Sequence, residues 1–139
     1  MQPFSIMAVL YNLYQDTRST GTRKFYARAV PMNEVHTEDL AQKIEEKCTL
    51  NKADIVACIV ALINEMKYEL KNSNVVVLDG FGNFKLGLTS AGAEREDQFT
   101  TDFITGVHCN FLPTGKVDKN TGKVIREFTS NVKFKKYGE

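Results

Sequence analysis

Two linked runs set the architecture. The first is Asn51-Lys52-Ala53-Asp54-Ile55-Val56-Ala57-Cys58-Ile59-Val60-Ala61-Leu62-Ile63, and the second is Val75-Val76-Val77-Leu78-Asp79-Gly80-Phe81-Gly82-Asn83-Phe84-Lys85-Leu86. In the first, Ile55, Val56, Ile59, Val60, Leu62, Ile63, Met66 and Leu70 recur with a helical period. Asn51 is a natural N-cap, Asp54 stands three residues on as in a capping box, and Leu50 and Ile55 fit a hydrophobic staple. Small residues fill the remaining positions, so the first turns are apolar nearly all round. A helix of that kind is buried on most sides. In a chain of 139 residues a second subunit is the expected cover, with a central helix in a monomer as the alternative. The second run reads as strand, turn and strand: Gly80 and Gly82 predict positive φ at one or both, with the Phe81 ring buried beneath. Because it lies between strands and not ahead of a helix, this Gly-x-Gly is a weak phosphate loop.

Outward from there, a strand over 6–14 and another over 25–30 predict a hairpin whose polar loop carries Arg18, Arg23 and Lys24. Thr37 is the expected cap of a first helix with the apolar stripe Leu40, Ala41, Ile44 and Cys48. The two helices would form a helical hairpin. A recognition helix is disfavoured, since the second helix is too apolar to face DNA. Residues 89–98 read as a polar loop, 107–112 as a strand stopped by Pro113, 116–124 as a hairpin turning on Asn120-Thr121-Gly122, and 131–136 as a last strand.

Net charge is only +1, which weighs against nucleic-acid binding, but the charge is segregated. Residues 34–71 carry eight acids against five bases and 94–102 four against one, whereas 116–136 carry seven bases against two acids. Two basic loops on an acidic body are the expectation. Cys48, Cys58 and Cys109 are unpatterned and read as small buried hydrophobes in a reducing compartment. No signal peptide or membrane-length apolar run is recognisable, so a cytoplasmic location is expected. No catalytic or metal constellation rises above background: His108 and Cys109 would point to opposite faces of a strand, and no serine or cysteine sits in a nucleophile elbow. No cofactor, no metal and no enzymatic activity are therefore expected.

Helix, helix, then Val-x-Leu-x-Gly-Phe-Gly-x-Phe resembles the HU/IHF family of bacterial DNA-bending proteins, as does Leu50-Asn51-Lys52-Ala53-Asp54-Ile55. The likeness is nearer to an HU-related group from Bacteroidetes, on Met7-Ala8-Val9-Leu10-Tyr11 and Val107-His108-Cys109-Asn110-Phe111-Leu112-Pro113. It covers most of 7–135, with Met7 as the natural start and 1–6 as an upstream extension. The resemblance implies an α+β, HU/IHF-like fold in a single DNA-binding domain spanning 1–139. Within it 7–30 would be an added N-terminal β-hairpin, 37–71 the helical hairpin, and 75–136 the antiparallel sheet with a β-ribbon arm.

It further implies an intertwined homodimer through Ile55, Val56, Ile59, Val60, Ile63 and Phe81. The partner would be double-stranded DNA, bound with little sequence preference in the nucleoid. Phosphate contacts are expected from Lys116, Lys119, Lys123, Arg126, Lys133 and Lys135, with Arg18, Arg23 and Lys24 as further candidates. The family places a wedging proline in an Arg-Asn-Pro-x-Thr-Gly arm motif. Here Lys119-Asn120-Thr121-Gly122 stands in its place, which counts against sharp bending and leaves backbone contact. The other reading is an HU-like dimeric scaffold that has lost DNA and serves as a structural or protein-interaction module.

Overall fold

A computed structural model describes residues 7–18 and 21–139. The upstream extension expected over 1–6, with Ile6 of the first strand, lies outside the described residues. The chain divides into two compact units, one made of the chain up to Val35 with Thr129–Glu139, the other of His36–Phe128.

In the first unit β1 (Val9–Gln15) and β2 (Phe25–Ala29) form the expected antiparallel hairpin, with Tyr14 opposite Tyr26 and Asn12 opposite Arg28. The last strand, β8 (Phe134–Lys136), pairs parallel to β1, giving the order β2-β1-β8. The sequence groups 131–136 with the sheet and arm that follow the helices, but β8 hydrogen-bonds to β1 instead. Alternation explains what this sheet does with its side chains. Val9, Leu13, Phe25, Ala27, Ala29 and Phe134 share one face, while Tyr14, Tyr26, Arg28 and Lys135 share the other.

The second unit is built around the helical hairpin. α1 (Thr37–Glu45) begins one residue earlier in capping terms than expected: His36, not Thr37, is the N-cap, and its N–H donates to Asp39 Oδ2 at 2.9 Å. α2 (Lys52–Lys71) starts as read, with the Asn51 side chain accepting from the Asp54 N–H at 2.9 Å. Asp54 does not complete a capping box there. Glu45 from the end of α1 accepts the Lys52 N–H, so the two helices share one cap. α2 closes in a Schellman pattern: the Asn74 N–H donates to Glu69 O and the Ser73 N–H to Leu70 O, both at 3.1 Å. Ser73 takes the left-handed position usually given to glycine, at φ 70°.

β3 (Val76–Leu78), β4 (Gly82–Ser90) and β5 (Ile104–Pro113) make the three-stranded antiparallel sheet. The turn between β3 and β4 follows the sequence: Gly80 is left-handed at φ 80°. Gly82 is required for a different reason. A Cβ there would lie 2.5 Å from the Leu112 carbonyl oxygen and from the Phe111 ring, so only glycine lets β5 approach. Phe81 is 38 % exposed, which corrects the expected buried ring. It packs edge-on against Phe128 at 5.3 Å and beside Phe111 at 5.1 Å, and Phe111 stacks on Phe84 at 4.8 Å.

Burial corrects the reading of the cysteines and leaves α2 uncovered within one chain. Only Ala41 and Ile55 are buried apolar side chains among the described residues. Cys48, Cys58 and Cys109 are likewise free and exposed, not buried. One physical reason serves both: the two helices and the small sheet supply too few neighbours to surround a helix that is apolar nearly all round. No described helix is long and apolar enough to cross a membrane.

Candidate nucleic-acid interface

The basic segment after Pro113 folds as read, into β6 (Gly115–Val117) and β7 (Val124–Arg126), with Lys116 opposite Ile125 and Val117 opposite Val124. Asp118 organises its tip. Its Oδ1 accepts the Asn120 N–H at 2.9 Å and its Oδ2 the Thr121 hydroxyl at 3.0 Å, while its carbonyl accepts the Gly122 N–H at 2.8 Å. Gly122 supplies the left-handed conformation at φ 71°. The hydrogen bonds from Asn120 and Thr121 hold the Asp118 carboxyl below the usual carboxylate range. The turn therefore stays charged and fixed near neutral pH, with Lys119 inside it and Lys123 at its exit.

Lys116, Lys119 and Lys123 are exposed and make no ion pair among the described residues. Arg126 is different. Half-buried, it donates to the Pro113 carbonyl and ties the base of the hairpin to the end of β5. The Thr114 N–H donates to Phe81 O at 3.1 Å, which anchors the same linker on the Gly-Phe-Gly turn. The lysines thus ride on a short ribbon fixed to the aromatic cluster, and Arg126 acts chiefly in fixing it.

The longer ribbon is β4–β5, paired from Gly82 opposite Pro113 to Ser90 opposite Ile104. Its tip, expected as a polar loop, contains two short 3₁₀ turns at Glu96–Gln98 and Thr101–Phe103, with Phe99 stacked on Phe103 at 5.4 Å. That tip carries Glu94, Glu96, Asp97 and Asp102, and its one arginine, Arg95, is paired with Asp97 at 2.9 Å. Acid at the end of the longer ribbon disfavours phosphate there.

The remaining candidates fall in the first unit. Arg18, Arg23 and Lys24 sit on the β1–β2 loop and are exposed; Lys133 and Lys135 lie before and in β8. The nine candidates are accordingly split, four in the unit of the helices and five in the unit of the N-terminal hairpin. One grouping was not read from the sequence. The register sets Tyr14 beside Tyr26, with ring centroids 5.9 Å apart, and puts the Arg28 guanidinium 4.4 Å from the Tyr14 ring centroid. The alternation of Tyr26 and Arg28, two residues apart in a strand, was the available signal. Among the described residues no group of three His, Cys, Asp or Glu side chains is placed to hold a metal.

A comparison with curated proteins found no match. The HU-HIG family, described as "HU domain fused to wHTH, Ig, or Glycine-rich motif", matches residues 7–129, which takes in both helices, the three-stranded sheet, the Gly-Phe-Gly turn and the basic hairpin. The chain belongs to the HU-HIG family of HU-domain proteins.

Proposed function

We propose that this protein is a non-enzymatic, architectural DNA-binding protein that acts as a homodimer and binds duplex DNA with little sequence preference. Membership of an HU-domain family over 7–129 carries this reading. The closer likeness to the HU-related group of Bacteroidetes, and a place in the cytoplasmic nucleoid, belong to the same proposal. Lys116, Lys119 and Lys123 would contact phosphates from the β6–β7 ribbon, whose tip is rigidly tied by Asp118. Without a proline in that turn the ribbon has no wedge for unstacking base pairs, so contact is to the backbone.

Dimerisation is supported by what one chain leaves uncovered. Val60 is 50 % exposed and Ile63 45 %, in the helix most apolar in sequence. Val60 and Ile63, three residues apart, fall on one side of the helix, and closed two-fold pairing of identical surfaces is the common way to cover such an apolar face.

Fluorescence anisotropy of a labelled duplex, titrated at several salt concentrations, tests the reading. Wild type should bind with an affinity that falls steeply with salt. Changing Lys116, Lys119 and Lys123 to Glu should weaken it by about tenfold or more and flatten the salt slope by roughly one for each phosphate that is no longer neutralised. Absence of binding even at low salt would sink the proposal and leave the scaffold reading.

A further inference from the structure

The β2-β1-β8 sheet has two unlike faces. One is mainly apolar, with Gln15 and Lys136 among its side chains, and the other joins a tyrosine pair to cations: Tyr14 and Tyr26 lie side by side across the strands, Arg28 follows Tyr26 on the same face, and Lys135 extends that face on the far side of β1. Both tyrosines are exposed, Tyr14 at 40 % and Tyr26 at 45 %, with the Arg28 guanidinium already stacked over the Tyr14 ring. Tyr14, Tyr26 and Arg28 line a cleft with Gln15, Asp16, Thr17 and Arg18. Asp16 brings the one acid, and its Oδ1 accepts the Arg18 N–H at 2.9 Å. The Arg28 guanidinium is held over Tyr14 and makes no side-chain hydrogen bond or ion pair among the described residues, so its donors remain to be used. Charge follows the division of the chain: this unit carries seven bases against three acids, the other eleven against fourteen.

We propose that this face is a second nucleic-acid site, which takes an unpaired DNA strand by stacking bases on Tyr14 and Tyr26 while Arg18, Arg28 and Lys135 neutralise its phosphates. Open aromatic rings beside cations are what an unpaired strand needs, because its bases have free faces. A duplex keeps those faces stacked on one another and offers such a surface only its backbone. Arginine suits the place, since its flat guanidinium stacks on a ring and still presents donors in its plane to a phosphate. The site goes beyond duplex binding by the β6–β7 ribbon and does not depend on it.

The test uses the full chain with labelled (dT)20 and (rU)20, read by anisotropy and by quenching of tyrosine fluorescence, which no tryptophan obscures because the chain has none. Wild type should bind (dT)20 with quenching. Tyr14→Leu with Tyr26→Leu should lower that affinity by about tenfold or more and abolish the quench. Tyr14→Phe with Tyr26→Phe, which keeps the rings, should hold affinity within about twofold of wild type. Arg28→Gln should weaken binding while leaving the fold intact, because the side chain is exposed. No binding of (dT)20 by wild type overturns the proposal, as does equal binding by the Leu pair. Loss only on Arg28→Gln would mean charge without stacking and also overturns it, and tighter binding of (rU)20 overturns the choice of DNA. The duplex titration with the Lys116, Lys119 and Lys123 variant fails or succeeds separately, so the two readings are told apart.

Discussion

Asp118 shows how a single side chain sets the geometry of a candidate contact. Its carboxylate bridges a backbone N–H and a hydroxyl, which fixes the turn that presents Lys119 and Lys123. Since those bonds favour the charged form, its folded-state pKa is lower than the unfolded one. The sign follows: the stabilisation is fully present above the unfolded-state value and is lost as pH falls through the folded-state value, in acid only. Thr121→Val removes the hydroxyl that donates to Asp118 Oδ2 and leaves the Asn120 N–H in place. The Asp118 carboxyl carbon, followed by NMR through an acid titration, should move back toward an ordinary aspartate in that variant. An unchanged titration would mean that the Thr121 hydroxyl does not hold the carboxylate in solution.

At the scale of the element, the end of α2 is the informative place. Asn72, Ser73 and Asn74, all polar, form its cap, with a serine where glycine is favoured. An L-residue in that conformation costs about 1–2 kcal/mol, part of which glycine gives back through the greater freedom of the unfolded chain. Ser73→Gly should therefore stabilise by about 0.5–1 kcal/mol and raise the thermal midpoint by about 2–5 °C. Circular dichroism melts at a fixed protein concentration would check it, and a lower midpoint would show that the Ser73 side chain contributes more than its backbone strain removes. The glycines of the following turn divide the work differently. Gly80 provides a conformation, whereas Gly82 provides room, and only the first role was readable from the residue order.

At the scale of the molecule, the mismatch between apolar content and burial dominates. Valines and isoleucines at helical spacing stand open in a chain that buries only Ala41 and Ile55 as apolar side chains among the described residues. With a homodimer, sedimentation equilibrium should give twice the 15.7 kDa chain mass at micromolar concentration. Val60→Glu with Ile63→Glu should abolish that species, since each buried interface would have to take up an unpaired charge. A wild-type monomer under those conditions would overturn the dimer. Charge, too, is decided at this scale. A net +1 conceals a basic unit built from the two ends of the chain and an acidic unit between them.

The features legible in the residue order alone are local ones. The Asn51 cap, the apolar period of α2, the Gly80 turn and the Asp118–Gly122 turn each depend on residues within a few positions of one another, where side-chain chemistry and backbone preference act directly. The motif of helices and Gly-Phe-Gly was likewise enough to suggest the HU domain that the family match bears out. Matters of long sequence separation were settled by folding. It paired β8 with β1 across more than a hundred residues, spent Arg126 on the Pro113 carbonyl, put acid on the longer ribbon, and set Arg28 and two tyrosines on one face. Strand pairing is fixed by hydrogen bonds between distant segments, and no window of neighbouring residues carries that register.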